Sequence, residues 1–271
     1  MSNNRTMSLR FPIAFALSIC SLTTPVWADF ETGMDAHQRG NYATALREWR
    51  PLAEEGDAQA QLHLGLLYAK GNGVSQNYTM ARQWYEKAAA QGYAMAQLHL
   101  GLLYANGDGV PQNYTIARQW YKKAAARGYA MAQSSLGLMY ANGDGVPQDY
   151  AKARQWYEKA AAQGSASGQN NLGFLYADGK GVPKDEQKGV EWIRKAAEQR
   201  DANGQASLGE MYRDGRGVPQ DYVQALMWYS LGAENGAQHG AALRDALTKQ
   251  MTPGQIAEAQ KLAQEWKPKA K

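Results

Sequence analysis

Two histidines at equivalent positions have the residue type and the regular spacing that could support metal binding. His63 and His99 lie 36 residues apart in nearly identical surroundings, and imidazole is a common ligand of transition metals. The same position later in the chain holds Ser135 and Asn171, which supply no further imidazole, thiolate or carboxylate. We therefore interpret the two histidines as surface residues and predict that the protein holds no metal and no other cofactor.

A glycine-rich turn and a serine-containing segment also lack the residues that their apparent chemistry requires. The turn 106–109, Asn-Gly-Asp-Gly, has too few acids at the spacing of a calcium loop, so we interpret it as a plain turn. Segment 164–168, Gly-Ser-Ala-Ser-Gly, has alanine where a nucleophile elbow carries its serine. The motifs S-x-x-K and H-E-x-x-H do not occur in the sequence. The sequence thus predicts a protein that is not an enzyme.

Tryptophan recurs at a fixed spacing along most of the chain, and the sequence between the tryptophans recurs with it. Five of them lie 36 residues apart: Trp84, Trp120, Trp156, Trp192 and Trp228. A period of about 20–50 residues is typical of stacked-repeat proteins, in which each unit is too small to bury its own apolar face. The sequence therefore predicts one elongated array of five repeats over residues 58–237. We expect an N-terminal capping hairpin over 29–57 and a C-terminal helical cap with a basic tail over 238–271.

Each repeat contains the signals of two helices joined by a turn. In the third repeat, apolar residues recur with helical spacing over 131–142, and Gly143 is suited to end that helix. A turn with proline follows at 145–147, and Asp149 is placed to cap a second helix. Every repeat has a glycine at the position of Gly137, in the middle of the first helix, although glycine has low helix propensity. This recurrence indicates that a neighbouring helix approaches closely there.

This pattern resembles the Sel-1-like repeat family, a relative of the tetratricopeptide repeat. Residues 96–128 show it best, as A-x-x-x-L-G-x-x-Y-x-x-G-x-G-V-x-x-[DN]-Y-x-x-A-x-x-W-Y-x-x-A-A-x-x-G. The fourth repeat departs from it most, with Glu186 for tyrosine, Gly189 for alanine and Arg200 for the closing glycine. The resemblance implies an all-α fold, a right-handed α-solenoid of helix-turn-helix repeats whose first helices line a concave surface. It also implies protein or peptide partners, in envelope assembly, in the regulation of secretion or signalling, or in contact with a host.

Residues 1–28 have the layout of a secretory signal peptide. Arg5 and Arg10 precede an apolar run over 11–22, and the segment closes with Val-Trp-Ala, which suits the positions that a signal peptidase reads. The apolar run is too short and too interrupted for a comfortable membrane span. We predict cleavage after Ala28, export to the periplasm or the exterior, and a mature chain without a membrane span.

The composition of the remaining chain restricts its partners. Removal of Arg5 and Arg10 with the leader lowers the formal net charge from +4 to +2, which leaves no strongly basic face for nucleic acid. The single cysteine, Cys20, lies in the leader, so the mature chain has no thiol chemistry. We expect a monomer that binds protein or peptide and no nucleic acid.

Differences among the repeats indicate where a partner would bind. Positions that hold one residue type in every repeat should maintain the stack, whereas positions that vary are free for recognition. In the first helix, the varying positions 59, 62, 63, 66 and 70 fall within an arc of about 100°. The predicted partner-binding residues on this arc, here called the first-helix stripe, are Leu62, His63, Leu66, Met95, Leu98, His99, Leu102, Met131, Ser135, Leu138, Asn170, Asn171, Phe174 and Glu210. Neutral drift of a solvated face and packing on the next hairpin are the alternative interpretations.

We expect a non-catalytic exported scaffold that binds its partner along this stripe. The alternative is a protein that binds cell-wall fragments or β-lactams with weak hydrolase activity, because some cysteine-rich secreted relatives are described in that way. Those relatives carry a disulfide in each repeat, and the mature chain has no cysteine. A third hypothesis is a structural role in which arrays associate through their ends.

Overall fold

A computed structural model describes residues 29–268, and within this range the protein is helical throughout. Over those residues there are fourteen helices and no strand. The helices are α1 (Phe30–Gln38), α2 (Tyr42–Glu54), α3 (Ala58–Lys70), α4 (Tyr78–Ala90), α5 (Ala94–Asn106), α6 (Tyr114–Ala126), α7 (Ala130–Asn142), α8 (Tyr150–Ala162), α9 (Ala166–Asp178), α10 (Glu186–Glu198), α11 (Ala202–Asp214), α12 (Tyr222–Glu234), α13 (Gly240–Thr248) and α14 (Pro253–Glu265). The predicted all-α solenoid of helix-turn-helix repeats is confirmed. The predicted leader 1–28 and the tail residues 269–271 lie outside the described range.

Repeated capping residues explain where the helices begin and end. In the third repeat, the first helix α7 ends at Gly143, whose φ of 84° is the left-handed conformation that glycine adopts without strain. The second helix α8 begins after Asp149, whose carboxylate accepts a hydrogen bond from the Lys152 amide at 2.9 Å. Both predicted caps are confirmed. All five repeats have the same pair, a left-handed glycine and an Asn or Asp cap.

Gly137, in the middle of α7, allows α8 to pack closely against it. A Cβ atom at this position would lie 2.5 Å from the Tyr157 ring, so any side chain would push the helices apart. In the fourth repeat Ile193 replaces the tyrosine, and a Cβ atom on Gly173 would lie 2.7 Å from the carbonyl oxygen of Gly189. The predicted close approach is confirmed. Gly189, one of the atypical residues of the fourth repeat, thus has a packing reason, because the lack of a side chain there lets the two backbones meet.

Successive repeats share apolar clusters, which join them into one array. One cluster contains Tyr85 from the first repeat and Leu100 from the second, and Trp120 packs against it. The next cluster contains Tyr121 and Leu136 and is built in the same way one repeat further along. Because each cluster takes side chains from two repeats, every repeat depends on its neighbours for burial of its apolar face.

Buried glutamines form hydrogen bonds at the junctions between successive repeats, and we call this series the glutamine ladder. Gln133 Oε1 accepts a hydrogen bond from Gln163 Nε2 at 2.8 Å, and Gln133 Nε2 donates to the carbonyl oxygen of Ala125 in the preceding repeat at 3.5 Å. The second repeat interrupts the ladder, because Arg127 stands where the other repeats have glutamine or asparagine. Within the described part of the chain, the buried Gln97 Oε1 is therefore left without a hydrogen-bond partner.

Additional helices cover both ends of the array. At the N-terminal end, α1 and α2 enclose Trp49, which is fully buried. At the C-terminal end, α14 packs on α12, and the ring centroids of Trp228 and Trp266 lie 5.6 Å apart. A capping box between Thr252 and Gln255 begins α14. None of the helices within 29–268 has the length and apolar character needed to cross a membrane.

Candidate partner-binding site

The first-helix stripe lies on α3, α5, α7, α9 and α11, and its exposed apolar surface is concentrated in the third repeat. Met131 is 57% exposed and Leu138 is 46% exposed, and residues 29–268 contain no other large hydrophobic side chain classed as exposed. Both lie on α7, seven residues apart, which places them on the same face of the helix two turns from each other. This grouping of exposed apolar side chains makes the third repeat the candidate contact surface of the stripe.

Three adjoining hollows surround Leu138 and cross α5, α7 and α9. One, of about 240 Å³, lies between α5 and α7, with Leu102 and Tyr121 in its wall. A second, of about 130 Å³, lies beside Met131 and Ser134. A third, of about 180 Å³, lies between α7 and α9. Leu138 lines all three hollows, so they meet at this side chain, and we call them together the central groove.

The two outer hollows are one site repeated after 36 residues. Their equivalent lining pairs are Leu102 and Leu138, Tyr121 and Tyr157, Ser135 and Asn171, and Leu138 and Phe174. The middle hollow has a local cause. Ser134 occupies the position that Leu62 and Leu98 hold in the first two repeats, where the leucine side chains fill the space between neighbouring repeats. The smaller side chain leaves open space between repeats, and that space opens beside the exposed Met131.

Three residues predicted to contact a partner are buried. Leu62 is 1% exposed, Leu98 is 2% exposed and Asn170 is 8% exposed. The two leucines belong to the apolar clusters between repeats, so their predicted role is corrected: they hold neighbouring repeats together. Asn170 is buried at the same position two repeats later, where its Oδ1 has no hydrogen-bond partner within residues 29–268. These positions lie on the edge of the stripe that faces the next repeat.

The two histidines are half-buried among aromatic rings rather than free on the surface, which corrects their interpretation as surface residues. The His63 ring lies 4.7 Å from Trp49, and the His99 ring stacks on Tyr85 at 5.2 Å with an interplanar angle of 19°. Burial, assisted by Lys70, lowers the pKa of His99 to about 4. Burial also lowers the pKa of His63, with a smaller effect from His37. Both rings therefore act as neutral packing groups at neutral pH.

The outer members of the stripe are less accessible than its centre. Leu66 and Met95 are half-buried against the cluster that joins the first two repeats. Phe174 packs against the cluster of the last two repeats while it also lines the central groove. Glu210 is half-buried, and this burial raises the pKa of its carboxyl group. The accessible part of the stripe is thus the groove at repeats two to four, with packed flanks on either side.

The turns that follow the first helices give the groove a charged rim whose sign changes along the array. The rim position holds Asp108 and Asp144 in the second and third repeats and Lys180 in the fourth. Asn142 Nδ2 donates to Asp144 Oδ2 at 3.1 Å. Lys180 instead pairs with Asp178 at 3.1 Å. The rim is therefore acidic beside the first hollow, whereas beside the third hollow the charges of Lys180 and Asp178 neutralise each other.

The hydroxyl groups near the groove are engaged in structural hydrogen bonds. Ser135 Oγ donates to the carbonyl oxygen of Met131 at 3.0 Å, and no side-chain base pairs with it. Burial raises the pKa of Tyr121 to about 12, while a hydrogen bond with Ser135 acts in the opposite direction. Over the described range, no group of three or more His, Cys, Asp or Glu side chains is placed to hold a metal ion.

Comparison with protein families identifies the class to which this architecture belongs. The Sel1 repeat model matches five consecutive segments, 58–93, 94–129, 130–165, 166–201 and 202–236. The chain therefore belongs to the Sel1 repeat family, as its sequence pattern predicted. Sel1 repeat proteins generally mediate protein–protein interactions, and the scaffold is typically non-catalytic.

Solved structures of similar proteins share the fold. A Sel1 repeat protein from Oxalobacter formigenes is 32% identical, with a TM-score of 0.72 over 90% of this chain and 99% of its own. A Sel1 repeat protein from Klebsiella pneumoniae is 27% identical, with a TM-score of 0.52 over 74% of this chain and 97% of its own. An immunity protein from Pseudomonas aeruginosa, 21% identical over 77% of this chain and 83% of its own, shares the fold alone, at a TM-score of 0.52. The comparison with curated proteins gave no match.

Several residues that form the floor and the opening of the groove are not among the partner-binding residues predicted from the sequence. Tyr121 and Tyr157 lie at a nearly constant position of the second helix, and the comparison of repeats predicts that such positions maintain the stack. Ser134 and Ser167 lie on first helices and are not among the predicted partner-binding residues. The available signal was the serine at position 134, where the first two repeats have leucine, because a smaller side chain at a packed position leaves space behind it.

Proposed function

We propose that the protein is an exported, non-catalytic adaptor that binds a protein partner in the central groove. The observation that carries this proposal is the coincidence of two features in one place. Met131 and Leu138 are exposed, and the three hollows meet at Leu138. An exposed apolar patch beside empty apolar space favours a partner that inserts side chains of its own.

The groove suits an amphipathic peptide segment of the partner. Apolar side chains of the segment would enter the hollows around Leu138, in the manner of a helix or extended peptide laid in a groove. A basic side chain would lie beside Asp144, which takes part in no ion pair within the described residues. A basic segment would approach the Asp108–Asp144 side of the rim faster than an acidic one.

Export is the part of the proposal that rests on sequence alone. The charged start, apolar run and Val-Trp-Ala ending of residues 1–28 support removal of a signal peptide after Ala28. The partner would then be an envelope or extracellular protein.

Capture of partners from the native envelope fraction tests this proposal. The bait is the chain from residue 29 onward, compared with a Met131→Glu/Leu138→Glu variant whose folding is checked by circular dichroism. Glutamate suits this helix face, because the fifth repeat already has Glu210 at the position of Leu138. Asn203→Glu is the matched control, since Asn203 occupies the exposed position of Met131 in the fifth repeat, outside the groove.

The outcomes of the capture experiment separate the groove from other surfaces. We expect partners bound by the wild type and by Asn203→Glu to be lost from the double variant. Retention of the same partners by the double variant would contradict a groove site and would direct attention to the second-helix face and the C-terminal cap.

A further inference from the structure

A buried glutamate occupies the tryptophan position of the N-terminal hairpin. Glu48 lies 36 residues before Trp84, at the position that holds tryptophan in all five repeats. Its side chain is buried, with the residue only 5% exposed. Carboxylates are rarely buried unless a positive group or several hydrogen bonds compensate the lost hydration. The exchange of tryptophan for glutamate at this position therefore needs a local partner.

Two groups approach this carboxylate. The Arg47 guanidinium pairs with Oε1 at 2.8 Å, but the Arg47 side chain is 72% exposed and compensates a buried charge weakly. The other oxygen, Oε2, faces the main-chain nitrogen of Asp29, which donates to it at 3.4 Å. The second partner is thus the backbone nitrogen directly after the predicted cleavage site.

Further contacts fix the start of α1 beside Glu48. The Asp29 carboxylate caps α1 by accepting hydrogen bonds from the amides of Glu31 and Thr32, each at 3.2 Å. Trp49, the residue after Glu48, donates from Nε1 to the carbonyl oxygen of Phe30 at 3.2 Å. Asp29 and Phe30 are therefore both held on α2, and a mature chain that began later would lose these contacts.

The geometry points to a binding site for the processed N-terminus: Glu48 holds the α-ammonium group that cleavage after Ala28 creates on Asp29. This inference rests on the export part of the proposed function. A signal peptidase hydrolyses the Ala28–Asp29 peptide bond, so that water supplies the hydroxyl of the new Ala28 carboxyl group and a proton to the Asp29 nitrogen. The resulting amine takes up a further proton from solvent at neutral pH.

Processing would change the contact from a neutral to a charged one. In the precursor, Glu48 Oε2 accepts from an uncharged amide. In the mature chain the same nitrogen carries a positive charge, and charge-assisted hydrogen bonds are roughly twice as strong as neutral ones. In the repeats, the tryptophan at this position packs against the preceding repeat, as Trp120 does. Within residues 29–268 no repeat precedes the N-terminal hairpin, and in the mature chain the new N-terminus would take that place.

Amide hydrogen exchange in α1 tests the inference. The mature chain starting at Asp29 is compared with a chain that retains residues 26–28, in which the Asp29 nitrogen stays an amide. We expect α1 amides to exchange about tenfold more slowly in the mature chain, the ratio that one charge-assisted hydrogen bond gives. Glu48→Gln should abolish this difference, whereas Glu55→Gln, an exposed glutamate just after α2, should preserve it.

Several results would overturn the inference. Equal exchange in the mature and extended chains contradicts it even if Glu48→Gln fails to fold, because both chains retain Glu48. A different first residue on the exported protein, found by N-terminal sequencing, contradicts it as well. The partner-capture experiment tests the central groove independently. If no partner is captured, the difference in amide exchange is still expected. If the difference in amide exchange is absent, partner binding in the groove is still expected.

Discussion

The first and third repeats have the same scaffold and differ in what they leave open on the first-helix stripe. In both, a mid-helix glycine packs on a tyrosine ring, Gly65 on Tyr85 and Gly137 on Tyr157. In the first repeat Leu62 fills the junction. In the third, Ser134 leaves a hollow of about 130 Å³ beside the exposed Leu138. The comparison indicates that the constant positions fix the backbone, while one small side chain between two repeats leaves a hollow.

The largest effect is expected when the first repeat is made to resemble the third. Leu62→Ser removes a fully buried side chain and buries a hydroxyl group, so we expect the free energy of unfolding to fall by about 3 kcal/mol. Leu66→Ser changes a half-buried position of the same helix and should cost less than half as much. Urea denaturation measures both, and equal losses would contradict the role of Leu62 at the junction.

The second and third repeats should differ in how they contribute to the pH dependence of stability, because the third has Ser135 at the position of His99. Burial lowers the pKa of His99 from 6.5 to about 4, so between these values the unfolded chain binds a proton that the folded chain does not. Stability should therefore fall as the pH drops from about 6.5 to 4, by on the order of 2 kcal/mol. His99→Ser should remove this contribution in urea titrations at each pH. An unchanged pH slope would argue against the buried neutral histidine.

A smaller gain is expected from repair of the glutamine ladder. Arg127→Gln would give the buried Gln97 Oε1 the donor that Gln163 supplies to Gln133 in the third repeat. We expect thermal or urea denaturation to show a gain of about 1 kcal/mol. Arg127→Ala serves as the control, because it removes the arginine without supplying a donor. If both variants shift stability equally, the hydrogen bond is not the cause.

The smallest effect on stability is expected from the reverse exchange, which makes the third repeat resemble the first. Ser134→Leu fills the middle hollow with apolar surface and removes the 3.2 Å hydrogen bond to Ser165, and these changes should cancel to within about 1 kcal/mol. Partner binding should nevertheless weaken by at least about tenfold, because the space for an inserted side chain is lost. Titration of the captured partner against both proteins measures this, and full affinity in Ser134→Leu would exclude the middle hollow.

The fold could be predicted because its determinants are local and recur five times. Gly143 and Asp149 act through their own backbone and capping preferences. The groove could not be predicted in the same way, since helical periodicity places Leu62 and Leu66 on one arc without showing which edge faces the next repeat. The stacking of His99 on Tyr85 likewise depends on the offset between neighbouring helices. The small side chain of Ser134 leaves a hollow only because neighbouring helices surround its position.

The most direct test of the central groove is site-specific photo-cross-linking in the native cells. A photoreactive amino acid is introduced at Leu138 or at Met131, with Asn203 as the control at an exposed position of the same stripe. We expect one discrete protein adduct from Leu138 and from Met131 and none from Asn203. Absence of an adduct at Leu138, or the same adduct at Asn203, would contradict the assignment of partner binding to the central groove.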